Sequence, residues 1–320
     1  MALRPSSAIN QFTRGKIYKY HLIIQGVYMN NKRIHRNNNI FKAIVFFFAF
    51  ITFLSVVLIG IFMAANGGPS IIKVDLKDFL LGAVWDSAND PPKYGILNFI
   101  LSSFYSTFFT VLIAVPISIL VALAIGQLMP KGIASVLRAI ISLLAGIPSV
   151  IYGFLGLIFV VPFVQKVFAL SSGLTMLSAI IVLIIMTLPT IISVSETSIN
   201  AVNEGYMEAA YALGVRKEFA LFTIIIPAAR SGIMAAVLLG VGRAIGETMA
   251  VMMVAGNIPQ APSMLKPVRF LTTAIVTEMS YATEQTRGVL IGIGLILFVF
   301  VFIINSVFRY FIKKAGRMNG

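Results

Sequence analysis

The sequence predicts an all-α integral membrane protein with six transmembrane helices. Of its 320 residues, 58% are hydrophobic and only 11% are charged, and the mean hydropathy is +0.95. A soluble fold of this size cannot bury so much apolar surface. The net charge of +14 is gathered in the segments between the apolar runs, which indicates membrane topology and argues against a nucleic acid partner. The absence of cysteine excludes disulfides, thiolate metal sites and cysteine nucleophiles.

A basic segment, residues 1–42, precedes the first apolar run. It holds eight Lys and Arg residues and no acidic residue, and its short apolar run at 22–24 cannot span a membrane. We expect a solvated basic tail, with a weak amphipathic helix on anionic membrane lipid as the alternative. A secretory signal is excluded because no long apolar core follows the basic start. The sequence that begins at Met29 resembles a true start, so residues 1–28 are hypothesised to be an upstream translation artefact.

Six apolar runs are long enough to cross roughly 30 Å of hydrocarbon at about 1.5 Å per residue. They cover residues 43–65, 99–125, 139–162, 174–194, 231–256 and 288–308. The third run is broken at Gly146-Ile147-Pro148, because proline cannot continue a helix. We therefore expect one six-helix membrane domain over residues 43–314, a polar loop at 195–230 and a short tail at 315–320.

The basic residues predict the orientation of these spans. Seventeen Lys and Arg residues fall on the side of the chain termini and seven on the opposite side. By the positive-inside rule both termini and the 195–230 loop are cytoplasmic.

A short helix is predicted in that loop. Small residues favour a helix that ends at Gly214, where a left-handed conformation costs glycine nothing. The pattern Glu-Ala-Ala-x3-Gly, followed after nine residues by Ile-x-Ile-Pro, resembles the EAA loop of the permease subunits of ATP-binding-cassette (ABC) importers, with Ile226 in place of the usual Leu. The alternative is an ordinary cytoplasmic helical hairpin. The resemblance implies a coupling helix that docks on a separate ATPase subunit, with the coupling residues Glu208, Ala209, Ala210, Gly214, Ile226 and Pro227.

Two charges, Arg243 and Glu247, lie inside the fifth span. At helical rise Arg243 is about 18 Å from the cytoplasmic start of the span, with Glu247 one turn further on the same face. Each such charge costs about 2.5–3.5 kcal/mol in the membrane, so each needs a partner or a wet pathway. One interpretation is an ion pair that locks the helix bundle. In the other, Arg243 binds a passing oxyanion, and Glu247 accepts a hydrogen bond that protonated phosphate can donate and sulfate cannot.

Neighbouring residues leave two interpretations open. Thr248 either contacts the oxyanion or bonds back to its own helix. The break before Ser149 either offers backbone amides to an anion or is a packing kink. Glycines four residues apart, Gly242 with Gly246 and Gly288 with Gly292, fit close helix packing as well as they fit substrate contact.

The segment 239–251, together with 145–154, resembles PstC, a permease subunit of phosphate importers, and the similarity extends over residues 95–311. Ser142 stands where members typically have an acidic residue, and the basic N-terminal segment is unusual for them. The resemblance implies the MetI-like fold of type I ABC importers, in the cytoplasmic membrane, with Arg243 and Glu247 at the positions associated with phosphate passage. It also implies a PstA-like second permease, a PstB-like ATPase dimer and a PstS-like external phosphate-binding protein.

The sequence contains no Gly-x4-Gly-Lys-Ser/Thr motif, so we expect ATP hydrolysis by a partner subunit. No motif indicates a cofactor, a metal site or a catalytic set, which disfavours an intramembrane enzyme. Two alternatives remain: a permease for sulfate or molybdate, and a proton-coupled secondary anion carrier that uses Glu247. The carrier would require neither the EAA loop nor an ATPase, and the chain lacks the internal repeats typical of carriers.

Overall fold

The computed structural model describes the backbone of residues 7–317 and the side chains of residues 41–310 and 312. The side chains of the basic segment up to residue 40 and most of the tail at 315–320 lie outside this description, and the hypothesis that residues 1–28 are a translation artefact is not tested by it. The chain divides into two units. Residues 1–61 contain most of the first helix, and residues 62–320 contain the remaining elements.

The described part holds thirteen α-helices and one two-stranded antiparallel hairpin. The helices are α1 (Ser7–Val74), α2 (Leu76–Leu81), α3 (Leu97–Leu123), α4 (Lys131–Gly146), α5 (Ser149–Leu155), α6 (Val161–Val167), α7 (Met176–Asn200), α8 (Gly205–Ala212), α9 (Lys217–Ala220), α10 (Ile226–Gly246), α11 (Met249–Val254), α12 (Leu271–Met279) and α13 (Glu284–Arg317). The strands are β1 (Trp85–Asp86) and β2 (Lys93–Tyr94), and π-helical turns cover Ala124–Leu128, Gly156–Val160 and Leu221–Ile225.

Six helical segments of the described chain are long and apolar enough to cross a membrane, as the fold class predicted. They are Phe41–Val74, Leu97–Leu128, Ser149–Val167, Met176–Asn200, Lys217–Gly246 and Glu284–Tyr310. The fourth runs past the predicted end at 194, so it includes part of what the sequence suggested was loop.

The predicted third span, 139–162, is interrupted where its glycine and proline predict, and the observed spanning segment Ser149–Val167 begins at the break. α4 ends at Gly146, Ile147 and Pro148 are extended, and α5 begins at Ser149. Tyr152 bridges the break, since its hydroxyl donates to the carbonyl of Leu144 at 2.8 Å. A hydrogen bond across the break therefore stabilises it.

The predicted fifth span, 231–256, is also interrupted, which the sequence did not predict, and the observed spanning segment Lys217–Gly246 ends at this break. α10 ends at Gly246, Glu247 has an extended ψ of 130°, and α11 begins at Met249. The expected continuous helix over 231–256 is therefore wrong, and with it the expectation that Glu247 shares a helical face with Arg243. The chain leaves the helix here because other groups satisfy its backbone: Glu247 Oε1 accepts from the amide of Ala250 at 2.9 Å, and Thr272 Oγ1 donates to the Glu247 carbonyl at 3.0 Å.

The segments that follow the two breaks pack together. A Cβ added to Gly153 of α5 would lie 2.8 Å from the Cα of Ala250 in α11, which is closer than carbon atoms approach. One turn on, a Cβ added to Gly156 would lie 2.5 Å from a side-chain carbon of Val182 in α7 and 3.0 Å from one of Val254 in α11. Gly153 therefore allows α5 to approach the backbone of α11, so the two short helices that follow the breaks pack closely together.

The two long connections outside the spans are more ordered than the predicted loops. Residues 66–98 contain α2 and the β1–β2 hairpin, and residues 257–287 contain α12. Trp85 Nε1 donates to Glu278 Oε1 at 2.7 Å and Ser87 Oγ to Glu278 Oε2 at 3.0 Å, while Arg269 forms an ion pair with the same carboxylate. This network attaches the hairpin to α12.

Close packing also joins the end of α1 to α13. A Cβ on Gly288 would lie 2.1 Å from Ser70 Oγ, and one on Gly292 would lie 2.8 Å from Ile71 Cγ1. For these two glycines the structure therefore supports the packing interpretation.

Candidate functional site

Arg243 lies in the last helical turn of α10 and is oriented by α7. Its Nη1 donates to Thr190 Oγ1 at 2.7 Å, and the side chain is only partly buried. No carboxylate among the described side chains lies within ion-pairing distance of it, since the ion pairs found there are Arg138–Glu196 and Arg269–Glu278. Of the two interpretations of Arg243 and Glu247, the ion pair is therefore not formed. A guanidinium inside a membrane span with a neutral partner alone requires water or an anion to complete its surroundings.

Glu247 has a structural task that the sequence did not reveal. Its Oε1 accepts the amide of Ala250 and so caps α11, while its Oε2 makes no hydrogen bond within the described residues. A small cavity of about 10 Å³ adjoins it, and the polar side chains that line this cavity are Ser103, Ser106, Thr107 and Thr272. Oε1 therefore stabilises the start of α11 after the break, and Oε2 remains available as a hydrogen-bond acceptor.

The remaining predicted residues lie at the two breaks. Ser149 is the first residue of α5, and Thr248 precedes α11 and donates back to the carbonyl of Gly246 at 3.3 Å. This bond to the backbone is one of the two alternatives for Thr248, and contact with an oxyanion stays a prediction. Tyr152, one turn beyond Ser149, is close enough to Arg243 to interact with its charge. The packing of α5 on α11 brings both breaks to the same neighbourhood as Arg243.

The surface around Arg243 is open. Apart from its sequence neighbours and the backbone of its own helix, a Cβ added to Gly146, Gly242 or Gly246 would meet no atom of the described residues within 4 Å. Gly242 and Gly246, for which both helix packing and substrate contact were open, therefore have no packing neighbour on another described helix. They expose backbone beside Arg243, where a second subunit or a small solute can approach closely.

The EAA residues form a separate surface. Glu208 lies in the first turn of α8, Ala210 is buried, and α8 is followed by Gly214 with φ of 74°, in the left-handed region expected there. The amide of Gly214 donates to Tyr211 O at 2.9 Å. Ala209 belongs to α8, whereas Ile226 and Pro227 begin α10. The helix that carries the EAA residues is thus directly joined to the span that carries Arg243.

Apolar side chains are exposed around α8. The exposed fractions are 55% for Tyr206, 47% for Tyr211, 83% for Leu213 and 63% for Phe219. Side chains of this kind at the end of a membrane bundle indicate a protein contact.

Sequence reasoning missed Thr190 and the ion pair between Arg138 and Glu196. Thr190 follows Pro189 in an apolar run, and no pattern marks it as the partner of Arg243, 53 residues away. Glu196 was assigned to the loop, although its position just past an apolar run was a signal that the helix continues. Arg138 Nε donates to Glu196 Oε1 at 2.5 Å.

The family model and the similar proteins found for this chain all describe membrane components of transport systems. Residues 114–317 match the family model "Binding-protein-dependent transport system inner membrane component". Similar proteins include the "Probable ABC transporter permease protein YqgH" of Bacillus subtilis, 36% identical over 82% of this chain and 86% of the relative. The "Phosphate transport system permease protein PstC" of Xylella fastidiosa is 32% identical over 79% and 84%, and that of Haemophilus influenzae is 30% identical over 88% and 95%.

Solved structures share the fold. An inward-facing MetNI methionine ABC transporter superposes with a TM-score of 0.52 at 20% identity, over 69% of this chain and 94% of the other. A bacterial ABC transporter for the import of alginate superposes with a TM-score of 0.55 at 16% identity, over 68% and 79%.

Proposed function

The chain belongs to the family of binding-protein-dependent transport system inner membrane components, and on this premise we propose that it conducts inorganic phosphate through a pathway lined by Arg243. It is a multi-pass protein of the cytoplasmic membrane and a non-catalytic permease subunit of an ABC importer. Such a permease works with an ATPase and with a substrate-binding protein.

One observation carries the proposal: Arg243 is a guanidinium within a span that has no carboxylate partner and faces an open surface. Thr190 Oγ1 accepts a hydrogen bond from Arg243 Nη1. The other N–H groups of the guanidinium remain free to donate to the oxygens of an anion. Because Thr190 acts as an acceptor in this bond, its hydroxyl hydrogen can still be donated to the same anion. An oxyanion is the ligand for which such a set of donors is suited.

The position of Glu247 favours phosphate over other oxyanions as the substrate. Because its Oε1 is held by the amide of Ala250, the free Oε2 has a fixed position near the break. An ionised carboxylate attracts the proton that phosphate carries near neutral pH and repels fully deprotonated sulfate. Relatives named phosphate transport system permease protein agree with this substrate.

The remaining assignments follow from the same proposal. The exposed glycines beside Arg243 are covered by a PstA-like second permease, which closes the pathway. α8 lies on the cytoplasmic side, as the positive-inside rule predicts, and docks on a PstB-like ATPase dimer through its exposed apolar residues. A PstS-like phosphate-binding protein delivers the substrate to the opposite side.

The test is uptake of radiolabelled phosphate in cells that lack their own high-affinity system and express this chain with its partner subunits. Arg243→Gln should lower uptake by about ten- to a hundredfold, which is the loss expected when one hydrogen-bonded charge is removed. Arg243→Lys, which keeps the charge without the fork, should retain part of the activity. Wild-type uptake must depend on ATP and be blocked by arsenate.

Other results would redirect the assignment. Competition by sulfate or molybdate would indicate that the substrate is another oxyanion. Uptake that collapses with a proton uncoupler while ATP is maintained would indicate a secondary carrier. Full uptake by Arg243→Gln would reduce Arg243 to a structural role.

A further inference from the structure

A second polar surface begins at Arg243 and continues along α7 toward the end of the helix from which the α8 loop departs. Thr190, Ser193 and Thr197 follow one another at intervals of three and four residues, so they share one face of α7. The distance along the helix from the first to the last is about 10 Å. A row of hydroxyls at this spacing, followed on the same helix by Glu196 and Asn200, is not suited to lipid.

The far end of this face opens into a cleft of about 510 Å³. Its polar lining is Arg138, Ser142, Ser193, Glu196, Thr197 and Asn200. The volume is several times that of one water molecule, whose share of liquid volume is about 30 Å³. A hydrated phosphate-sized anion therefore fits without rearrangement.

Arg138 lies at the cleft, and hydrogen bonds occupy only part of its guanidinium group. Nε donates to Glu196 Oε1 at 2.5 Å and Nη2 makes a long contact of 3.4 Å to the carbonyl of Ile125, whereas Nη1 has no partner among the described residues. The arginine side chain is 46% exposed and the glutamate only 10% exposed. Glu196 is thus the buried anchor, and the guanidinium is the group presented to the cleft.

Hydroxyl donors complete the cleft. Ser142 is exposed, Ser193 is partly buried, and neither side chain is hydrogen-bonded within the described chain. Thr197 differs, since its hydroxyl donates back to Ser193 O at 2.9 Å. The available set is therefore one guanidinium nitrogen and two serine hydroxyls.

We propose that this cleft is a second oxyanion subsite, through which phosphate leaves Arg243 for the cytoplasm. The inference rests on the proposed function. The anion passes from Arg243 along Thr190 and Ser193 to Arg138, so that a guanidinium stands at each end of a hydroxyl face. Glu196 weakens the second site by sharing the charge of Arg138, which suits an exit, because a conducting site must release what it binds.

The natural absence of cysteine allows a direct test. Ser142→Cys places one thiol in the cleft, and Thr223→Cys, at an exposed position that lines a different cleft, is the matched control. Each variant is expressed with its partner subunits, and inside-out membrane vesicles expose the cytoplasmic face. The measurement is the rate of modification by an anionic and by a cationic methanethiosulfonate reagent.

One unit charge about 4 Å away in water changes each rate by about fivefold, raising the anionic rate and lowering the cationic one. We therefore expect the ratio of anionic to cationic rates to be about 25-fold higher for Ser142→Cys than for Thr223→Cys. Adding Arg138→Gln, which leaves the Glu196 carboxylate without its cation, should bring the ratio at Ser142→Cys to or below that at Thr223→Cys, and adding Arg138→Lys should keep it above. Millimolar inorganic phosphate should slow the anionic reagent at Ser142→Cys alone.

Equal ratios for the two thiols, or no protection by phosphate, would overturn the subsite. The ratio and the protection are both measured with Arg138 intact, so misfolding of Arg138→Gln does not decide the test. Phosphate uptake by the wild-type complex is measured in parallel. If uptake occurs without protection, the exit site is wrong and the proposed function stands; if the wild type takes up no phosphate, the proposed function itself fails.

Discussion

The network around Glu278 makes a quantitative prediction, because the only tryptophan of the chain belongs to it. Trp85 is 6% exposed and donates to Glu278, which also binds Ser87 and Arg269. The variant Glu278→Ala leaves the Arg269 charge and the indole N–H without their acceptor. The β1–β2 hairpin then loses its polar attachment to α12. It retains the hydrogen bond between Tyr94 and Thr286 and the packing of Trp85 on Phe99.

The magnitude follows from the burial of the ion pair. Breaking a buried pair by removing one partner costs about 3–5 kcal/mol. Because the side chains of Arg269 and Glu278 are 15% and 17% exposed, solvent screens part of the effect, and about 3 kcal/mol is the appropriate figure. That free energy corresponds to an increase of about 150-fold in the equilibrium population of the open hairpin.

The assay is fluorescence of Trp85 in the purified chain in detergent, with acrylamide as the quencher. Glu278→Ala should shift the emission to longer wavelength and increase the quenching, whereas Glu278→Gln, which keeps an acceptor for the indole, should fall between it and wild type. Asp86→Asn, which removes an exposed carboxylate next to Trp85, is the control and should behave as wild type. Unchanged quenching in Glu278→Ala would show that the network does not hold the hairpin.

Three further predictions concern the pathway and its coupling. Thr190→Val removes the acceptor of Arg243 and should lower phosphate uptake by about tenfold, the value of a hydrogen bond to a charged group, while Thr190→Ser should not. Glu247→Gln keeps an acceptor for the α11 cap, so the protein should fold, but sulfate should begin to compete for uptake; intact discrimination would refute the filter. Gly214→Ala forces a side chain into a backbone at φ of 74°, with a cost of about 1–2 kcal/mol, and should reduce transport per ATP hydrolysed. Gly132→Ala, in an ordinary helix, is its control and should leave that ratio unchanged.

The fold class could be predicted because its signals are local. A span is a run of apolar residues of the required length, and six such runs are evident without any knowledge of contacts. The break at Pro148 and the left-handed Gly214 are equally local, since each follows from the backbone of a single residue type. Arg243 was identifiable for the same reason, because a charge inside an apolar run is unusual wherever its partners lie.

The tertiary structure decided the parts that depend on distant partners. The break at Glu247 occurs without proline, and the groups that stabilise it include Thr272, which lies 25 residues further along the chain. The partner of Arg243 is Thr190 on another helix, not the glutamate one turn away. Residue spacing along one helix assumes that the helix continues. Whether it continues is determined by which other segments can supply the missing hydrogen bonds, and in the apolar interior of a bundle only the folded chain provides them.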